Sequence, residues 1–244
     1  MNELKKNTIE MKRFYLFAGI AMFIVVVMTL TDIVFGTMTS GFETVPETAI
    51  GRFAEFEQTV VMGLYHLDLL NVMINSLSAI GFLGLLLAHR NERPLMAGFA
   101  ALLFIAGLLI FLSNNTALPM MMLANHYNAS TDAAYRAALT GAGEAMLARG
   151  EHGSPGMFTG MFFMVVAGIL ISWQMLKGSI FKSWVAIIGI ISNISLLIYL
   201  ILMAFVPSSE SFSMMIAAPG GLLSIVWQVV VARKFFLMAG KEEK

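Results

Sequence analysis

The sequence predicts an all-α integral membrane helical bundle of about six transmembrane helices, with an extracytoplasmic helical insert between helices 3 and 4. Three observations predict it. Hydrophobic residues fill 58% of the 244 positions and charged residues only 12%, a balance outside the range of soluble domains. A bilayer core of ~30 Å takes about 20 mostly apolar residues in a helix, and six stretches meet that length: 14–35, 56–88, 95–113, 156–176, 184–206 and 214–236. Between the third and fourth lies 114–155, the one long polar stretch, which has to be exposed on one membrane face. The chain reads as a single transmembrane domain.

Charge placement orients it. Twelve of the fifteen Lys and Arg residues fall on the side of the two termini, and only Arg52, Arg136 and Arg149 fall on the other. The positive-inside rule then puts both termini in the cytoplasm of a plasma membrane and 114–155 outside. Lys5, Lys6, Lys12 and Arg13 precede the first apolar run as in a signal peptide, but no small-x-small cleavage pattern follows, so 14–35 is expected to be a retained helix. A formal net charge of zero argues against nucleic acid as a partner. The lipid bilayer is the partner that composition implies, a membrane-protein partner or second copy stays open, and no ligand or cofactor is specified. The absence of cysteine excludes disulfides, thiolate ligands and a cysteine nucleophile.

Taken in order, the loop 36–55 carries Glu43, Glu47 and Glu55, and its G-F-E and T-V-P-E pieces suggest turns that cap the outer mouth. The stretch 56–88 would be about 50 Å long as one helix, so 57–65 is expected to project beyond a hydrocarbon boundary near Asp68 or Leu69. Within the insert, Pro119 is expected to interrupt the chain and 120–123 to form a short apolar patch at the interface. Ser130 or Thr131 would cap a helix running to about 148, with Asp132 in its first turn. Ala134, Ala138, Gly141, Ala142 and Ala145 give that helix a small-residue face suited to packing on the projecting end of helix 2. N-S-L-S at 75–78 faintly echoes S-N-I-S at 192–195, as an inverted repeat of three helices would allow.

Chemistry is sparse. Glu57, Asp68, Asn71, Asn75 and Ser78 fall within roughly 80° of one another at 100° per residue, a stripe that lines a pocket or path or else bonds neighbouring helices. His66 stands about 200° from Asp68 on an ideal helix, which sets H-L-D against shared metal ligation. With His126 contributed by the insert, the candidate polar pocket is Glu57, His66, Asp68, Asn71, Asn75 and His126. Imidazole and carboxylate on one side, with Asp132, Glu144 and His152 also there, would suit zinc, but no H-E-x-x-H spacing is present. Met120, Met121, Met122, Met157, Met161 and Met164 would cluster near the outer face, and core packing explains them better than copper ligation. Asn193, Tyr199, Ser224 and Gln228 are scattered singly and read as packing contacts. No hydrolase elbow, phosphate loop or dinucleotide fingerprint occurs. The balance favours a non-enzymatic binding, sensing or partner role. A solute transporter using the stripe of helix 2 and a membrane-embedded metal hydrolase are the rivals.

N-N-T-A-L-P-M at 114–120, H-Y-N-A-S-T-D at 126–132, A-G-E-A-M-L-A at 142–148, S-W-Q-M-L at 172–176 and F-K-S-W at 181–184 carry a likeness. On these the chain resembles a family of bacterial multi-pass membrane proteins catalogued as a domain of unknown function. The resemblance implies a six-helix protein of the bacterial inner membrane with an external insert after the third helix. It supplies no catalytic or binding residues.

Overall fold

The computed structural model describes residues 2–39, 45–206 and 210–240. The G-F-E piece with Glu43, and the terminal Lys241 and Lys244, lie outside the described residues. Ten helices follow in chain order: α1 (Asn2–Thr39), α2 (Ala49–Gln58), α3 (Val60–Tyr65), α4 (Leu69–Ala88), α5 (Pro94–Asn114), α6 (Ala117–Ala129), α7 (Ala133–Gly150), α8 (Pro155–Lys177), α9 (Ser183–Phe205) and α10 (Glu210–Ala239). Six stretches are long and apolar enough to cross a membrane. Two of them, Pro94–Ala129 and Ala133–Lys177, run to 36 and 45 residues, more than one bilayer takes. Each is two helices, since the backbone turns extended at Asn115 and again at Glu151. The spanning helices are therefore α1, α4, α5, α8, α9 and α10, and the chain is a multi-pass membrane protein.

These six close into a ring. Neighbours in order are α1, α4, α5, α8, α9 and α10, and α10 packs back on α1. Tyr15 and Phe235 stack across that last seam at 6.1 Å between ring centroids. The tightest seam is α5 against α8, where a Cβ on Gly160 would lie 2.7 Å from the Phe111 nitrogen and 2.9 Å from the Gly107 oxygen. Only glycine lets two backbones approach so closely, and the gain is dispersion contact in a solvent where apolar burial drives little. Leu95, Leu102 and Leu109, exposed at 88%, 69% and 61%, mark the opposite flank of α5 as lipid-facing surface.

The helices α2, α3, α6 and α7 form a cap over one end of the ring. Its core is Ala49, Phe53, Phe56, Met120 and Ala124. Thr48 caps α2 through its hydroxyl, and Glu144 from α7 accepts the Ala49 N–H at 2.8 Å, so a carboxylate sits where the helix dipole favours it. At the other end of the ring, Glu92 accepts from the Ser179 N–H and hydroxyl at 2.7 Å each and pairs with His89 at 2.9 Å. That carboxylate ties the α4–α5 turn to the α8–α9 turn.

Several expectations need correcting. The described T-V-P-E residues 45–47 are irregular, as expected, but from Ala49 the loop is the amphipathic helix α2, capped by Thr48. Pro119 does not interrupt the insert. It sits third in α6, in the first turn, where its missing N–H has no helical acceptor to lose. Residues 120–123 belong to that helix, and Met120 is buried in the cap core rather than at the membrane interface. Asp132, not Ser130 or Thr131, caps α7 by accepting from Ala134 and Tyr135 at 2.8 and 3.3 Å. The small-residue face of α7 points outward, with Ala134, Ala138, Gly141 and Ala145 exposed. Leu139 and Gly143 face inward instead, because the aromatic Phe53 of α2 needs the space that Gly143 leaves.

Candidate functional site

Helix 2 of the sequence is three helices. Thr59, with φ −152° and ψ 100°, ends α2, and the segment 66–68 separates α3 from α4. Asp68 adopts φ 63° and ψ 22°, the one positive φ among described non-glycine residues. Aspartate tolerates this region better than most side chains, at a cost on the order of 1 kcal/mol or more. The break falls at the boundary where the sequence places the edge of the hydrocarbon, and the spanning stretch begins at Leu69. It overturns the expectation of a straight projecting helix. It also removes the 200° opposition between His66 and Asp68, which now line the same cavity.

Two ionic groups follow from the break. The first joins Asp68 to His152, whose Nε2 lies 2.6 Å from Oδ2, while Asn71 donates to Oδ1 at 3.2 Å. The second nitrogen of His152 lies 3.4 Å from the Tyr199 hydroxyl of α9. His152 belongs to the turn between α7 and α8, and Gly153 holds that turn against α9, since a Cβ there would stand 3.3 Å from the Met203 oxygen. Both members of the pair lie outside the spanning helices. Removal from water would raise the Asp68 carboxyl, but the bonds from His152 and Asn71 and the charge of Arg52 hold it below the usual range. The bond to Asp68 holds the His152 imidazole above its usual value against the pull of burial.

The second group is on the cap. Glu55 pairs with Arg52 at 3.1 Å and with His66 at 2.5 Å. Asn115 donates to the Leu67 oxygen at 2.9 Å, which fixes the break against the α5–α6 junction. Between the cap and the ring lies a cavity of about 770 Å³, whose charged wall is Glu47, Arg52, His66, Asp68, Glu151 and His152.

A second cavity, of about 270 Å³, lies inside the ring and takes side chains from all six spanning helices. Its polar wall is Asn71, Asn75 and Ser78 of α4, Asn193 and Tyr199 of α9, and Ser224 and Gln228 of α10. The remainder is apolar, including Met22, Phe82, Phe104 and Met164. The two cavities abut at one layer. Asp68 lines the cap cavity and bonds Asn71, which lines the ring cavity; His152 lines the cap cavity and meets Tyr199, which lines the ring cavity.

Of the candidate pocket residues, the structure brings His66 and Asp68 to the cap cavity and Asn71 and Asn75 to the ring cavity. Glu57 and His126 join neither. Glu57 is exposed on α2, off the stripe because two breaks intervene, and His126 is exposed in the last turn of α6. The six methionines do not converge. Met120 is buried in the cap, Met122 is exposed, and Met157 and Met164 are buried in the ring core. Among the described residues no three His, Asp or Glu side chains are grouped to hold a metal ion. Asn193, Tyr199 and Gln228, single polar residues expected to be packing contacts, line the ring cavity instead. The echoing segments at 75–78 and 192–195 both reach the ring cavity, through Asn75 and Ser78 on one side and Asn193 on the other. No family model matches the chain, and no curated protein or solved structure is significantly similar to it.

Proposed function

We propose that the protein binds a small molecule in the cavity at the centre of its membrane ring, admitted from the cap cavity past the Asp68–His152 layer. The observation that carries this reading is the abutment of the two cavities at residues that bond one another across the layer. A pocket lined by all six spanning helices is where ligand sites of helical membrane proteins sit. The excess of Lys and Arg on the side of the termini supports a plasma-membrane orientation with both termini cytoplasmic and the cap outside. The resemblance to an uncharacterised bacterial family agrees with that placement and adds no site.

The test is native mass spectrometry on gently solubilised protein. A small molecule retained by the wild type and lost from Asn75→Leu supports the reading; one retained equally by both proteins locates it elsewhere. Transport is a second reading, favoured by the two cavities lying in series. It requires a flux in liposomes that Asp68→Asn or Asn71→Ala abolishes.

A further inference from the structure

We propose that the ring cavity takes an uncharged small molecule with hydrogen-bonding groups on an otherwise apolar frame, an inference that rests on the binding role proposed above. The first ground is what the wall lacks. Among the described residues no Asp, Glu, Lys, Arg or His lines this cavity, whose polar groups are carboxamides, hydroxyls and one indole N–H. An ion entering it would give up hydration with no opposite charge to replace it. The approach adds no preference for one sign, since Arg52 and His152 stand there together with Glu47, Asp68 and Glu151.

The second ground is how the polar groups are spread. Dipoles can solvate a bare ion when they surround it, as rings of carbonyls do in channels. Here they do not surround it. In the ring α4 stands opposite α9, with α10 beside α9. Asn71, Asn75 and Ser78 come from α4, and Asn193, Tyr199, Ser224 and Gln228 from α9 and α10. The other three helices add no polar side chain: α1 gives Met22, α5 gives Phe104, and α8 gives Met161, Met164, Val165 and Gly168. A ligand held between α4 and the α9–α10 pair is therefore bonded at two edges and meets hydrocarbon elsewhere.

The third ground is that the wall offers donors and acceptors together. Asn75 gives one amide hydrogen to the Asn71 carbonyl and Asn193 one to the Gly189 carbonyl, each at 2.8 Å, and Gln228 gives one to the Ser224 hydroxyl at 3.2 Å. Each carboxamide has a second N–H and a carbonyl oxygen besides. The Gln228 Oε1 is buried and accepts no hydrogen bond, and the Trp227 N–H is buried and donates none. Unpaired groups of both kinds are costly in such surroundings, which favours a ligand that brings a donor and an acceptor of its own. At about 270 Å³ the cavity falls just below the usual range for drug-sized ligands, ~300–1,000 Å³, so the ligand is small. The stacked rings of Phe82 and Phe104 in its wall, 4.0 Å between centroids, suit a flat frame.

The test uses four probes of one size and shape: benzamide, which is neutral with a donor and an acceptor, the benzamidinium cation, the benzoate anion, and the apolar α-methylstyrene. Each is titrated against the full chain in nanodiscs and followed by the emission of Trp227 in a W173F/W184F background, with empty nanodiscs subtracted for partitioning. The expected result is saturable binding of benzamide about ten-fold or more tighter than either ion, because the ions lose hydration that this wall does not replace. Benzamide should also bind several-fold tighter than α-methylstyrene, through hydrogen bonds to the carboxamides. Asn75→Leu on one edge and Gln228→Met on the other should each weaken benzamide several-fold without weakening α-methylstyrene, which shows that the pocket is still folded. Either ion binding as tightly as benzamide would overturn the selection for an uncharged ligand, and α-methylstyrene binding as tightly would overturn the role of the polar edges; both results leave the pocket standing. Saturable binding by none of the four would overturn the central pocket itself.

Discussion

Asp68 and His152, 84 positions apart in the chain, meet at 2.6 Å where the cap joins the ring. The contact links the start of a spanning helix to the turn before another, so its loss is felt by both layers. It also titrates, and the sign can be worked out. His152 holds its proton more tightly in the fold than the ordinary value of 6.5, so its contribution is fully present below pH 6.5 and is lost as pH rises through the folded value. Asp68 holds its proton less tightly than the ordinary 3.8, so its contribution is present above that pH and is lost as pH falls through the folded value. The melting midpoint in detergent should therefore fall between pH 6 and pH 9 in the wild type and change much less in His152→Gln. Parallel pH profiles for the two proteins would mean that the pair adds nothing.

The backbone at Asp68 separates a conformational effect from a chemical one. With φ at 63°, Asp68→Ala loses the carboxylate and keeps the strain, while Asp68→Gly loses the carboxylate and relieves it. The glycine variant is expected to be more stable than the alanine variant by about 1 kcal/mol. Equal stabilities would show that the segment relaxes out of the left-handed region once the carboxylate is gone.

Glycines in this chain should respond in opposite directions. At Gly160 an added Cβ meets backbone of α5 that has nowhere to move, so Gly160→Ala should destabilise by about 1–3 kcal/mol or displace α8. Nothing lies within 4 Å of a Cβ added at Gly141 on the exposed face of α7. There the helix gains propensity alone, and Gly141→Ala should stabilise by about 0.5–1 kcal/mol. Thermal denaturation of the two variants side by side decides it.

A chain without cysteine allows accessibility to be read at one position at a time. A cysteine placed by Asn75→Cys should react slowly with a polar thiol reagent added from the cap side. Removing the layer above it with His152→Ala should speed that reaction by about ten-fold, equivalent to ~1.4 kcal/mol of lost barrier. An unchanged rate would place the access route to the ring cavity elsewhere.

Apolar runs made the six spans legible, and counting outward from His89 and Arg90 put an edge near Asp68 or Leu69, where the helix α4 begins. The break itself was not legible, since no proline marks 56–88 and a single aspartate carries the left-handed turn. Three of the five stripe residues stay together: Asn71, Asn75 and Ser78 remain on one helix and face one cavity, while Asp68 lines the cap cavity and Glu57 is carried away by two bends. His152 appeared in the sequence only as one of several outer ligands, because nothing local ties it to a carboxylate 84 residues earlier. Asn193, Tyr199 and Gln228 look like isolated polar residues in one dimension. They become a wall once the ring brings α4, α9 and α10 around one space.

Closure of that ring by α10 against α1 has a consequence for biosynthesis. A nascent chain with α1 to α9 inserted is a horseshoe, open along the flank that Trp227, Gln228 and Phe235 later cover. During that interval Asn71, Asn75 and Asn193 border a gap that acyl chains can fill, and the ring cavity does not yet exist. Its completion waits on α10, the helix made after the other five spanning helices.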